Sequence, residues 1–207
     1  MTVELDHILW AAPDLDQGTH VFEDLTGVRP VTGGSHPGFG TRNALLSFSS
    51  TTYVEIIAPD PEQDLTGTMG AELAALDTAK TWLFALATDD LGAVAEGARK
   101  AGIAVGDPIA MSRTTPDGVR LDWSIMRIAD DRWPGKLPFF IDWQGSPHPA
   151  GMTPGGITLD SFSAIDPNPQ DLSTVYEAIG CTVPVYGGVK TGFVAHLNTP
   201  NGTVILT

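Results

Sequence analysis

Residues 3–27 read VELDHILWAAPDLDQGTHVFEDLTG, and the plan of the whole chain is contained in them. Val3, Leu5, His7 and Leu9 recur at every second position, the period of a β-strand whose side chains alternate between two faces. Asp14 and Asp16 follow as an acidic helix start, suited to the positive end of the helix dipole. Leu15, Phe22 and Leu25 line one apolar face, and Gly27 can take the left-handed conformation that ends a helix. The same strand, cap, helix and closing glycine return from Asp90 to Gly102 and from Asn168 to Gly180. The caps stand 76 and 78 residues apart. A repeat on this scale sets the architecture before any single side chain is considered.

Working outward, the first module covers residues 1–60. Strands are expected at 28–31, 44–48 and 53–58, the first two separated by a glycine-rich loop, GGSHPGFG at 33–40. Residues 61–79 form a linker with a short helix at 69–76. The second module, 80–145, has a strand at 82–87 and a helix at 91–101 that turns Leu91, Val94, Ala95 and Ala98 inward. Strands follow at 103–111, 119–128 and 139–143, with Pro116-Asp117-Gly118 as a turn. Residues 146–156, rich in Gly and Pro, form a second linker. The third, shortened module spans 157–207. It has a strand at 157–165 and a helix opened by Pro169, with Leu172, Val175, Tyr176 and Ile179 inward. Strands at 193–197 and 203–206 are joined through Pro200-Asn201-Gly202. The expected fold class is α+β: repeated β-α-β-β-β modules whose mixed sheet curls into a half-barrel with a cleft.

Composition limits the partners. The chain has 207 residues, 42% of them hydrophobic, enough for a sizeable core. A net charge of −14 and a pI of about 4.4 repel phosphate backbones and anionic lipid. Nucleic acid and membrane surfaces are therefore excluded as expected partners, and a small-molecule ligand is left. The single cysteine, Cys181, rules out an internal disulfide and a CxxC zinc cluster, and reads as a small buried apolar residue. No basic stretch leads into an apolar one at the start, and no window approaches ~18 uninterrupted apolar residues. A cytoplasmic location is the expectation. Asn201-Gly202-Thr203 reads as a hairpin turn rather than a glycosylation site.

The strings Leu5-Asp6-His7-Ile8-Leu9, Pro13-Asp14-Leu15-Asp16 and Tyr53-Val54-Glu55-Ile56-Ile57 resemble the vicinal oxygen chelate superfamily, which holds glyoxalases, extradiol dioxygenases and bleomycin-resistance proteins. More narrowly, the chain resembles the glyoxalase-like domain subgroup. That likeness rests on residues 34–45 (GSHPGFGTRNAL), on Met111-Ser112-Arg113 and Pro116-Asp117-Gly118, and on residues 137–143 (LPFFIDW) with His148-Pro149. The resemblance covers residues 3–150 and is only architectural over the third module. It implies a divalent metal held by one side chain on the first strand and one on the last strand of each paired module. Carried over, His7 and Glu55 fill the first-module positions and Asp142 the last strand of the second. The remaining position is Leu83, an aliphatic residue, and this departure argues against the methylglyoxal–glutathione reaction. His7, Glu55 and Asp142 are thus implied both as acid–base groups and as ligands to Mn, Fe, Ni or Zn. By the same repeat Asp160 aligns with His7.

The residues themselves say part of this independently. Glu55 stands between apolar neighbours, where a carboxylate is costly unless paired or wet, which favours a functional role. His7 is balanced between a core hydrogen-bonder and a site residue. His36, Asn43, Arg113, Trp123 and Trp143 are candidate substrate-binding residues, the Arg for an anionic group and the Trp pair for stacking. Arg120 is the other scarce cation, open to an anionic substrate group or to a surface ion pair, the commoner fate, and His148 reads as exposed. The expected function is metal-assisted lyase, isomerase or dioxygenase chemistry on a small oxygen-bearing molecule. The alternative is a metal-free binding protein of the resistance type, with His7 a simple hydrogen-bonder. A further arrangement pairs the third module across two chains as a homodimer.

Overall fold

The computed structural model describes residues 2–114 and 118–207. Pro116 and Asp117 of the expected turn lie outside them. Two compact units emerge, and each draws on all three modules. The first unit comprises Met1–His7, Leu83–Pro147 and Phe162–Val194; the second comprises Ile8–Trp82, His148–Ser161 and Ala195–Thr207.

In the second unit, β2 (Val31–His36), β3 (Thr41–Ser47) and β4 (Tyr53–Pro59) form an antiparallel set, with β1 (Val3–Ala11) next to β4 in the strand order. Helix α1 (Leu15–Thr26) starts where Asp14 accepts the Gln17 backbone N–H at 2.9 Å and ends at Gly27 with φ 77°. The Asn201 amide, from the turn between β12 (Gly192–Thr199) and β13 (Gly202–Leu206), donates to the carbonyls of Asp24 and Leu25. It satisfies helix-end acceptors that have no partner within the helix. Phe22, fully buried, meets Trp10 edge-on at 5.3 Å. Burying one such side chain is worth about 1.5–3 kcal/mol. A Cβ on Gly18 would stand 3.2 Å from Ile56, so α1 covers the face of β4 that carries Val54 and Ile56.

The sheet's other face is set by a bulge. β3 pairs with β4 in regular register, Asn43 opposite Ile57 and Leu45 opposite Glu55. Along β2, Val31 opposes Leu45 and Thr32 opposes Ala44, but Ser35 opposes Arg42 and His36 opposes Thr41. One extra residue at Gly33-Gly34 therefore inverts the alternation. Val31 and His36, an odd and an even position, come to share a face with Thr41, Asn43, Leu45 and Glu55. Residues 33–36, expected as loop, are strand.

In the first unit, β5 (Lys80–Thr88) pairs in parallel with β9 (Phe139–Asp142), which pairs antiparallel with β8 (Arg120–Ala129). β8 also carries β6 (Ala104–Val105) and β7 (Ile109–Thr114). The single strand expected at 103–111 is two, because Gly106-Asp107-Pro108 lacks one ladder donor and invites a turn. α3 (Leu91–Lys100) starts at Asp90, which accepts from the Ala93 N–H at 2.8 Å. α4 (Pro169–Ala178) packs Leu172, Val175 and Tyr176 inward. Asn168 occupies its cap position but makes no side-chain capping bond; Pro169 leaves one fewer donor to satisfy. Phe84 is ringed by Phe162, Tyr176 and Phe193 at 5.1–6.0 Å. β10 (Thr158–Asp166) pairs in parallel with β11 (Val185–Gly187), a strand the sequence did not announce.

The architecture is α+β with repeated strand–helix–strand modules, as the sequence implied. The Gly/Pro-rich stretch after residue 145 is no free tether. Its 3₁₀ turn, Pro149–Gly151, places the Ala150 carbonyl to accept from Ser47 Oγ at 2.7 Å, and Ala150 packs with Leu45 and Tyr53. His148 is half-buried, its ring edge-on to Tyr53 at 5.7 Å. A further short helix, α2 (Met69–Ala74), precedes β5. Among the described residues no helix is long and apolar enough to cross a membrane.

Candidate functional site

Three of the residues singled out from the sequence meet in the second unit. Glu55 is only 6% exposed. Its Oε1 accepts a hydrogen bond from Asn43 Nδ2 at 2.7 Å, and the two are diagonal neighbours on one sheet face. The same amide nitrogen lies 3.2 Å from His36 Nε2, and His36 Nδ1 lies 2.9 Å from Thr41 Oγ1. Asn43 Oδ1 accepts from the Gly34 N–H at 2.9 Å. Donors and acceptors match when His36 is neutral with its proton on Nδ1. The Asn43 amide then donates one hydrogen to the imidazole and one to the carboxylate. His36 Nε2 stands 3.7 Å from Glu55 Oε1, too far for a direct hydrogen bond, so the amide mediates between them. Gly33 is required here, since a Cβ on it would come within 2.2 Å of Asn43 Oδ1.

The turn that carries His36 is clamped from below. Asp60, 3% exposed, accepts from Ser35 Oγ, from Gln63 Nε2 at 2.8 Å and from the Glu62 N–H at 3.1 Å. Gln63 in turn accepts from the Gly38 N–H at 3.0 Å. Burial pushes the Asp60 carboxyl up, but these hydrogen bonds and the positive charge of Arg42 outweigh it and hold the group below its ordinary value. The sequence reading gave Ser35, Asp60 and Gln63 no role. Asp60 had a readable signal, a charge directly after the apolar run of β4.

His7 belongs to the first unit, 3% exposed. Its Nδ1 lies 2.6 Å from Asp6 Oδ1, and Asp6 is fully buried. Asp6 Oδ2 accepts from the Trp143 indole N–H at 2.8 Å. Phe139 meets the imidazole edge-on at 5.6 Å. Trp143 leans on Trp123, 6% exposed, with ring centres 5.6 Å apart. Asp6 is the residue the sequence reading passed over, although it sits in the motif string beside His7.

Asp142 is not brought to His7. It opposes Ser124 on β8, one residue out of phase with Phe139 and Ile141, so strand alternation turns it to the other face of β9 from the ring that touches His7. Its Oδ1 accepts from the Gln144 N–H at 2.8 Å. Arg113 is half-buried on β7, opposite Leu121. Arg120 is exposed and paired with Asp122 at 2.8 Å, which raises its pKa. Asp160 is exposed. Cys181 is buried, and burial pushes its thiol up to about 12. Among the described residues no three His, Cys, Asp or Glu side chains gather into a metal-binding set. Within the first unit, His7 and Asp142 therefore do not share a donor cluster.

The glyoxalase-like domain family matches residues 5–180. The match runs through α4, beyond the strings that carry the resemblance. A hypothetical protein from Staphylococcus aureus shares the fold with a TM-score of 0.68 at 19% identity, over 99% of this chain and 84% of that one. A methylmalonyl-CoA epimerase in complex with methylmalonyl-CoA and NH4+ has a TM-score of 0.51 at 22% identity, over 72% of this chain and 100% of that one. A Streptomyces coelicolor methylmalonyl-CoA epimerase variant in complex with 2-nitronate-propionyl-CoA gives 0.51 at 21%, over 70% and 99%. At these identities the likeness is one of fold. Comparison with curated proteins finds no match. With residues 5–180 matched, most of its length, the chain belongs to the glyoxalase-like domain family of the vicinal oxygen chelate superfamily.

Proposed function

We propose that the protein is an acid–base enzyme that moves a proton on a small oxygen-bearing molecule, an isomerase or lyase reaction, with Glu55 as the general base. One observation carries this reading: an ionisable carboxylate is buried in the apolar strand β4 and held at 2.7 Å by an amide that is itself fixed on both sides. Burying a charge costs several kcal/mol, and a fold spends that where the group has work to do. A positioned carboxylate takes a proton from carbon beside a carbonyl, and such assistance contributes about 10²–10⁴-fold in rate. The Asn43 amide keeps Glu55 in one rotamer, and the neutral His36 keeps the amide turned. His7, oriented by Asp6, is a second acid–base candidate. Arg113 is the candidate for an anionic substrate group and Trp123 for packing against the ligand. A divalent ion, if one is bound, supplies Lewis-acid stabilisation of enolate charge.

The test is hydrogen exchange. The purified protein is incubated in D₂O with a panel of acyl-CoA thioesters, including methylmalonyl-CoA, and of small 2-oxo and 2-hydroxy acids, and mass is followed. Each reaction is run after chelation and again with Mn, Fe, Ni or Zn. Deuterium should enter at least one compound without added metal, and Glu55→Gln should slow it by about 100-fold or more. Exchange that survives Glu55→Gln sinks the proposal. Exchange that appears only with metal, and is lost in both Glu55→Gln and His7→Ala, returns those residues to ligand roles. Tight binding of a panel member with no exchange favours the binding-protein alternative.

A further inference from the structure

We infer that Asp6 is the positioning residue of His7, and that the Trp143 indole demands an acceptor at position 6, so that an aspartate there, and not an asparagine, holds the imidazole as the Nδ1–H tautomer. Asp6 is fully buried, and a buried carboxylate is tolerated only when its oxygens are met by donors. Two are in place, on different oxygens: His7 Nδ1 at 2.6 Å on Oδ1 and the Trp143 N–H at 2.8 Å on Oδ2. An ionised carboxylate only accepts, so His7 Nδ1 carries the hydrogen. In the neutral ring the lone pair is then on Nε2, the nitrogen that can take up a proton. The second contact is the unusual one. An indole N–H can only donate, so whatever stands at position 6 must offer Trp143 an acceptor.

Trp143 is not free to turn away. It is followed by Gln144, the positive-φ non-glycine residue among those described, at φ 52°. That conformation is held by the Gln144 N–H on Asp142 Oδ1 and by Gln144 Nε2 on Ser124 Oγ, both at 2.8 Å. The Ser146 N–H closes the turn on the Trp143 carbonyl at 2.8 Å. Trp123 backs the indole ring, and Phe139 walls the imidazole. A left-handed non-glycine residue is strained and persists where the surroundings over-determine it. Here it fixes the direction of an indole N–H whose acceptor orients His7.

The arrangement makes aspartate and asparagine differ sharply at position 6. Aspartate offers an acceptor oxygen to each of these two donors. Asparagine has the same shape but one acceptor and one donor group. Trp143 claims the amide oxygen, the –NH₂ faces His7 Nδ1, and the imidazole must move its hydrogen to Nε2. This deepens the acid–base reading of His7 and depends on it only in the activity arm below.

The experiment is nitrogen-15 NMR of the labelled full chain, reading the His7 ring nitrogens. Wild type and Trp143→Phe should both show the Nδ1–H tautomer. Asp6→Asn should show Nε2–H. Asp6→Asn combined with Trp143→Phe should regain Nδ1–H, because the amide can now turn its oxygen to the imidazole. Backbone spectra and melting temperatures identify any variant that has lost the fold, and the double variant and Trp143→Phe keep the comparison intact if Asp6→Asn is poorly folded. An Nδ1–H tautomer retained in Asp6→Asn overturns the inference, as does a double variant that stays at Nε2–H. In the deuterium assay, Asp6→Asn should lower kcat by about tenfold or more at unchanged KM, with partial recovery in the double variant. If the tautomer moves and the rate does not, Asp6 still orients the ring and it is the catalytic role of His7 that falls.

Discussion

Replacing Asn43 by leucine removes several hydrogen bonds at once and withdraws one donor from a buried carboxylate. Asn43 donates to Glu55 at 2.7 Å and to His36 at 3.2 Å, and accepts from the Gly34 N–H at 2.9 Å. A bond to a charged group is worth about 1.5–3 kcal/mol and a neutral one about 1 kcal/mol, so the loss comes to about 4 kcal/mol. For a chain of this length 1 kcal/mol moves Tm by about 2–4 °C, which puts the expected fall near 8–16 °C. Leucine keeps the branching of asparagine but is bulkier, so overpacking adds a cost of its own and the fall in Tm does not by itself isolate the hydrogen bonds. The informative measurement is a double-variant cycle by urea denaturation. Glu55→Leu removes the buried charge, so Asn43→Leu should cost much less in that background, with a coupling of about 2 kcal/mol. Additive costs, or an Asn43→Leu variant within about 1 kcal/mol of wild type, would show that the amide does not support the carboxylate, and the case for Glu55 as a held base would go with it.

Other perturbations have equally definite signs. Asp60 is held below its ordinary 3.8 in the folded chain, so it adds stability above that pH which is lost as pH falls through the lowered value. Urea midpoints of Asp60→Asn should therefore lie below wild type at neutral pH and converge with it in acid; parallel curves would refute the assignment. Gly33→Ala drives a Cβ to within 2.2 Å of Asn43 Oδ1, and should cost about 1–3 kcal/mol, partly regained when Asn43 is shortened to Ala. Cys181, buried and with its thiol pushed up to about 12, should resist a disulfide reagent at about pH 8 until denaturant is added. Fast labelling of the native chain would contradict that placement.

Local signals carried the fold. Asp14 and Asp90 cap helices because a short carboxylate reaches the first free N–H groups whatever the rest of the chain does. Phe22 and Tyr176 were readable as core from helical spacing alone. The misreadings share one cause, dependence on partners far along the chain. Residues 33–36 have the composition of a loop, and become strand only because β3 offers a ladder. Asp6 has nothing to distinguish it until Trp143, 137 residues later, donates to it. Glu55 was legible because a charge inside an apolar run is a local anomaly, and His36 and Asn43 were legible as polar residues beside a turn. That they hold Glu55 was not. Asp142 is the opposite case: it was chosen by its place in the motif, and its phase on β9 turns it away from the ring that touches His7.

The extra residue at Gly33-Gly34 is a point of slack in β2. The ladder keeps its pairing on either side of it, Thr32 opposite Ala44 and Ser35 opposite Arg42. Deleting one of the two glycines would restore simple pairing and leave His36 opposite Thr41, on the face it shares with Asn43 and Glu55. A related chain one residue shorter here can therefore keep the same neighbours around Glu55, and the spacing between Val31 and His36 is no measure of shared chemistry.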